Sequence, residues 1–214
     1  MTDSRVLILG GHGKVALLLA PLLVARGDEV TAVIRNSAHA DDVSATGATP
    51  LVLDLEAGAD LGEAFEGYDA IVWAAGAGGG SRERTYAVDR DAAIRSMDAA
   101  EAARVRRYVM VSWIGSSPDH GVDPDNPFYA YADAKLAADD HLRASTLNWT
   151  ILGPGALTLD PPTGRIALDP EGDGAVPRAD VAAVIAAALA EDHTVGRFIR
   201  FGSGDTPIAE ALAR

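Results

Sequence analysis

Apolar residues along this chain gather in short unbroken runs, separated by glycines, polar turns and stretches where apolar positions recur at helical spacing. Residues 5–9, Arg-Val-Leu-Ile-Leu, read as a first strand. Residues 14–26 follow as a helix, with Leu17, Leu18, Leu22 and Leu23 expected on its buried side and Gly27 closing it. The same reading gives strands at 29–34, 49–53 and 70–74, a short helix at 37–46 ended by Gly47, and a helical turn or two at 59–65. A long helix over 84–103 carries Val88, Ala92, Met97 and Ala100 inward. Strands at 108–112, 149–152 and 197–201 and helices at 128–145 and 180–189 complete the pattern.

Strands that are apolar throughout, and not on alternate positions, are buried on both faces. Alternating with helices, they predict an α/β fold: a doubly wound parallel sheet, ordered 3-2-1-4-5-6-7, with helices on both faces. In such a sheet ligands sit at the carboxyl ends of the strands, where the strand order reverses. Two long polar segments, 115–127 and 157–177, leave strands on that side and are placed to shape a substrate pocket.

The chain has 214 residues, which suits one domain spanning 1–214 with a small substrate-side region near its C-terminal end. It has no cysteine, so disulfides and thiolate chemistry are excluded, and its five histidines show no metal-ligand spacing. A formal net charge of −13 argues against a nucleic-acid or anionic membrane partner, though not against a local nucleotide site. No signal peptide and no membrane-length apolar run is evident, so the expected location is cytoplasmic. Monomer and homodimer stay open.

The most informative segment is Gly10-Gly-His-Gly-Lys-Val-Ala16, between the first strand and the first helix. Glycines at 10 and 13 let the backbone approach a diphosphate, His12 lies within the turn, and Lys14 and Val15 start the helix, whose free N–H groups favour an anion. In this strand–turn–helix context the segment predicts a Rossmann-type dinucleotide site. Gly11 is extra to the spacing, and Ala16 stands where close helix–strand packing needs a small residue. The second strand runs into Arg35-Asn36-Ser37 with no acid at its end, so Arg35 and Ser37 are candidates for a ribose 2′-phosphate, favouring NADP(H). Asp54 and Leu55 are placed for adenine, with an Asp54 capping role as the competing reading. Ala74, Ala75 and Gly76 leave the backbone free to lie along the diphosphate and ribose.

Tyr131 and Lys135, four residues apart, share one helix face, and Ser112 ends the fifth strand. They are the parts of a carbonyl reductase. Tyr131 would donate a proton, Lys135 would lower the phenol pKa and hold the ribose, and Ser112 would orient the carbonyl. The competing reading has Tyr129 and Tyr131 packing only, and Lys135 serving the coenzyme alone.

These residues, together with Trp149-Thr-Ile-Leu-Gly-Pro-Gly155 and Pro177-Arg-Ala-Asp-Val181, resemble the NAD(P)-binding, NmrA-like branch of the atypical short-chain dehydrogenase/reductase family, and its small sugar-epimerase-like bacterial members in particular. The resemblance implies an NADP-binding domain in which Pro154, Gly155 and Leu157 line the nicotinamide end. It also leaves three activities open. The leading expectation is an NADP(H)-dependent oxidoreductase acting on a small carbonyl or conjugated acceptor. The others are a redox sensor without turnover and a nucleotide-sugar epimerase-like protein. The 19 positions from Ser112 to Tyr131 exceed the usual spacing in the larger family, which bears on the aim of Tyr131.

Overall fold

The computed structural model describes residues 3–57, 61–172 and 174–213. Strand β1 (Arg5–Leu9) lies between β2 (Glu29–Ile34) and β4 (Ala70–Trp73), and pairs with both in parallel. Strands β3 (Thr49–Val52), β5 (Arg107–Val111), β6 (Asn148–Pro154) and β10 (Arg197–Ser203) extend the parallel sheet in the order β3-β2-β1-β4-β5-β6-β10. That is the expected seven-strand order. The wholly parallel expectation needs one amendment. Beyond β10 the sheet continues through β8 (Arg165–Leu168) and β11 (Thr206–Pro207), and β8 pairs antiparallel to both. A separate parallel pair joins β7 (Leu157–Thr158) to β9 (Val176–Pro177). These short strands fall in the polar segment 157–177 and near the C-terminus, where no apolar run marks them.

Both faces of the sheet are covered, as continuous apolar strands require. Val6 and Ile8 of β1 point to one face, against α1 (Lys14–Arg26), α7 (Arg178–Ala190) and α8 (Ile208–Leu212). Leu7 and Leu9 point to the other, where Phe65 of α3 (Gly62–Phe65) and Leu142 of α6 (Tyr129–Ala144) close the core. The expected helix start at Ala59 lies outside the described residues. Between residues 37 and 44 a 3₁₀ turn (Ser37–His39) leads into α2 (Ala40–Ser44).

The long helix expected over 84–103 runs from 82 to 102 in three parts. These are α4 (Arg82–Thr85), a π-helical stretch over Tyr86–Ala92, and α5 (Ala93–Ala102). Wide π turns of this kind recur at functional sites. Here the stretch buries Asp89, for which helical periodicity gives no warning.

The buried face of α1 is corrected. Val15, Ala16, Leu19, Ala20 and Leu23 are buried, whereas Leu18 and Leu22 are 41% and 42% exposed. Leucines and alanines fill most of this helix, so the apolar stripe is broad and the sequence alone rotates it slightly. Helix α7 packs on α1, and its own chain buries Val181, Val184, Ile185 and Leu189.

Urea unfolding tests this assignment. Leu19→Ala should cost about 2–5 kcal/mol, as truncation in a packed core does. Leu18→Ala should cost less than about 1 kcal/mol, as partly exposed positions do.

Candidate functional site

The turn after β1 is crowded on both sides. Gly10 has φ +83°, and a Cβ there would lie 2.5 Å from the Ala75 Cα. A Cβ on Gly11 would lie 2.6 Å from the Ala32 Cβ, and the Gly11 amide donates to Val33 O at 2.7 Å. The extra glycine thus fits the turn against β2. Gly13 starts α1 without any side-chain cap, and no acid stands in the first turn. The helix therefore offers uncapped amides at the point where strand order reverses, a setting that suits a diphosphate.

Two cavities meet there and share Gly13, Ala74, Ala75 and Gly76. One, of about 360 Å³, opens over β2 and β3 and is lined by Gly10, His12, Arg35, Asp54 and Leu55 among others. The second, of about 500 Å³, opens over β4, β5 and β6 and is lined by Lys14, Val15, Ser112, Tyr131, Lys135, Pro154, Gly155 and Leu157. Of the candidate residues only Ser37 lines neither: it is exposed in the 3₁₀ turn, while Asn36 and His39 face the first cavity.

In the first cavity, Arg35 Nη1 donates to Glu56 Oε1 at 2.5 Å, and Arg84 Nη2 reaches the same oxygen at 3.0 Å. Neither Glu56 nor Arg84 was indicated by the sequence, because the loop after β3 brings in Glu56 and α4 brings in Arg84. Asp54 Oδ1 accepts the Glu56 amide at 2.9 Å, so its turn-capping role is present beside its place in the cavity. The His12 ring stacks on His39 at 3.7 Å, and His12 Nε2 lies 2.8 Å from Asp42 Oδ2.

Trp113 and Tyr131 line the second cavity beside buried charge. Trp113 meets Phe128 edge-on with centroids 5.1 Å apart, and Phe128 lies 5.1 Å from Tyr131. Gly115 carries the Trp113 ring, since a Cβ there would lie 2.2 Å from it. Farther along the segment 115–127, His120 accepts the Val122 amide and meets Tyr129 edge-on, and it lines neither cavity. Arg178, also lining the second cavity, is anchored on the carbonyls of Leu157 and Thr158 at 2.8 and 2.9 Å.

Lys135 is buried and donates to Val111 O at 2.7 Å. Burial pulls its ammonium pKa down, while Asp139 and Asp89 oppose the change. Tyr131 departs from expectation. Its enclosure pushes the phenol up, and Asp89 and Asp139 push it further in the same direction. Burial is the first cause, so the phenol does not show the lowering expected from Lys135. Ser112 Oγ lies 2.5 Å from Asp139 Oδ2, and Ser116 Oγ lies 2.6 Å from the same oxygen. Asp139 was missed because a carboxylate one turn after Lys135 reads as helix surface.

The turn, the uncapped helix and the paired cavities have the extent and chemistry to take an extended dinucleotide. They define a nucleotide-coenzyme protein of the doubly wound α/β class. The NAD(P)H-binding family model matches residues 10–192, and the chain belongs to that family. It is 33% identical to the uncharacterized sugar epimerase YhfK of Bacillus subtilis, over 98% of this chain and 99% of that one. Among solved structures it is 35% identical to a Bacillus halodurans protein named after the NAD-dependent epimerase/dehydratases, covering 98% of both chains with a TM-score of 0.91. The oxidoreductase ylbE from Lactococcus lactis is 29% identical over 97% of this chain and 94% of its own, with a TM-score of 0.86. The NAD(P)-binding family resemblance read from the sequence is borne out.

Gly10→Ala should destabilise the fold by about 1–3 kcal/mol, since it forces a left-handed residue against Ala75. Thermal unfolding checks this; an unchanged melting temperature would show that the turn has room.

Proposed function

We propose that this chain is an NADP(H)-dependent oxidoreductase that reduces a small carbonyl or conjugated acceptor. One observation carries the reading. Two cavities that meet at Gly13 and residues 74–76 set Arg35 on one side and Ser112, Tyr131 and Lys135 on the other. When bound, the coenzyme supplies the hydride.

The chain's residues would divide the remaining work. The α1 amides with Gly10, Gly13, Lys14 and Val15 hold the diphosphate, and Arg35 takes the 2′-phosphate. Asp54 and Leu55 receive adenine. Ala74, Ala75 and Gly76 lie along the ribose, and Pro154, Gly155 and Leu157 border the nicotinamide. Ser112 and Tyr131 present hydroxyls to the acceptor oxygen, and Lys135 serves the ribose. Trp113 and Tyr131, which line this cavity, favour an acceptor with a flat apolar body. We take the whole chain as one domain. The names of the relatives raise an epimerase reading, but among the described residues only the short edge strands β8 and β11 and the separate β7–β9 pair accompany the seven-strand sheet on the substrate side. That leaves little to hold a sugar nucleotide.

The Glu56 carboxylate already occupies Arg35, so a 2′-phosphate must displace it. Arg35→Ala should weaken NADPH binding by about 10- to 100-fold, the worth of a charge-assisted hydrogen bond, and leave NADH binding nearly unchanged. Glu56→Gln should instead tighten NADPH about threefold, because an exposed pair of this kind holds Arg35 only weakly. Calorimetric titration of both variants checks the pair. Equal losses for both coenzymes in Arg35→Ala would contradict the NADP assignment.

A further inference from the structure

Three ionisable side chains, Asp89, Lys135 and Asp139, are buried together, each at most 2% exposed. Asp89 comes from the π-helical stretch. Lys135 and Asp139 lie one turn apart on α6, which packs against it. One ammonium balances one carboxylate. A second buried carboxylate would stand uncompensated, at a cost of several kcal/mol. Two guanidinium groups offset it only in part, since each is already engaged with another carboxylate. Arg143, on the next turn of α6, is paired with Asp140 at 2.6 Å, Arg84 beside Asp89 is engaged with Glu56, and Tyr131 is a neutral phenol.

The hydrogen bonds distinguish the two acids. Asp89 faces both Lys135 and Arg84, and its Oδ2 accepts the Ala77 amide at 3.0 Å. Asp139 places both serine hydroxyls on Oδ2 and leaves its buried Oδ1 with no partner among the described residues. An ionised carboxylate has about four acceptor sites to satisfy, so a bare buried oxygen is expensive. With a proton on Oδ2, the acid donates to one serine and accepts from the other, and only a carbonyl oxygen stays bare. Ser112 lines the cavity and Ser116 does not. If Ser112 receives the acid's hydrogen, its own hydroxyl hydrogen is free to turn into the cavity.

We infer that Asp139 is held as a neutral acid at neutral pH and is the proton source of the proposed reduction, acting through Ser112. The second half rests on the oxidoreductase reading above. In the balanced step the acceptor carbon gains a hydride from the reduced nicotinamide, forming a C–H bond, and the C=O π bond opens onto oxygen. That oxygen takes the Ser112 hydrogen, Ser112 Oγ takes the Asp139 hydrogen, and Asp139 is left as a carboxylate beside Lys135. The coenzyme is oxidised by two electrons and the carbonyl is reduced to an alcohol. Solvent returns the proton after product leaves. Burial pushes the Asp139 carboxyl up, with Lys135 and the serines opposing, in keeping with this assignment. The raised Tyr131 phenol is the poorer donor of the two. Asp139 is thus a positioning and proton-supplying residue, while Ser112 touches the acceptor.

Infrared difference spectra of the coenzyme-free protein test the protonation directly. At neutral pH the wild type should show the C=O stretch of a protonated carboxylic acid, absent in Asp139→Asn. Absence of the band, or its persistence in Asp139→Asn, would overturn the inference. Stability gives a second readout. A raised carboxyl pKa in the folded state stabilises the fold at low pH, and that contribution is lost as pH rises through the folded value. The stability of wild type relative to Asp139→Asn should therefore fall as pH rises above the ordinary carboxylate range. A pH-independent difference would contradict it.

For the relay, Asp139→Asn should bind NADPH within about threefold of wild type, yet reduce a carbonyl acceptor at least about tenfold more slowly and without the alkaline limb of the kcat/KM profile. Ser112→Ala should show the same loss, with no further loss in the double variant. Unaltered rates and profiles would remove the relay. If no protein in the set binds a nicotinamide coenzyme, the oxidoreductase reading falls and the relay with it, while the infrared band still decides the state of Asp139.

Discussion

Between Leu9 and Lys14 the backbone passes so close to Ala75 on one side and Ala32 on the other that Gly10 and Gly11 have no room for a Cβ. This packing sets the start of α1 over the gap between β1 and β4, where the chain changes direction across the sheet. A bulkier residue at Ala32 or Ala75 would push the turn away and carry the helix N-terminus with it. The two cavities flank this point and share its residues, so the turn sets the register of both halves of the groove.

The halves differ electrically. Over β2 and β3 the charges are solvated: Arg35 and Glu56 have side chains 56% and 27% exposed, and their pairing can be exchanged for a ligand at small cost. Over β4, β5 and β6 the charges are buried, and no such exchange is cheap. There Asp89, Lys135 and Asp139 constrain one another, and a proton is the smallest entity that can settle their imbalance. The first half is suited to recognition and the second to chemistry.

Most of the parallel sheet was legible in the sequence because its strands are unbroken apolar runs between glycines. Residues 5–9 and 14–26 match β1 and α1 end to end. The antiparallel strands β8 and β11 were not legible, since they are short and partly polar and owe their place to pairing with β10 and with each other. Cavity-lining positions such as Gly10 and Arg35 declared themselves through local spacing. Glu56, Arg84, Asp89 and Asp139 did not, because each acts on a partner distant in sequence. The phenol of Tyr131 shows the same limit. Its spacing to Lys135 was plain, but the burial that raises it and the Asp89 charge that adds to it arrive from tertiary packing.

Selectivity of this groove for a 2′-phosphorylated nicotinamide coenzyme is tested most directly by parallel calorimetric titration of the wild-type protein with NADPH, NADP+, NADH and NAD+. Both phosphorylated forms should bind more tightly than their unphosphorylated counterparts. Equal binding of all four, or a preference for NADH and NAD+, would contradict the role given to Arg35.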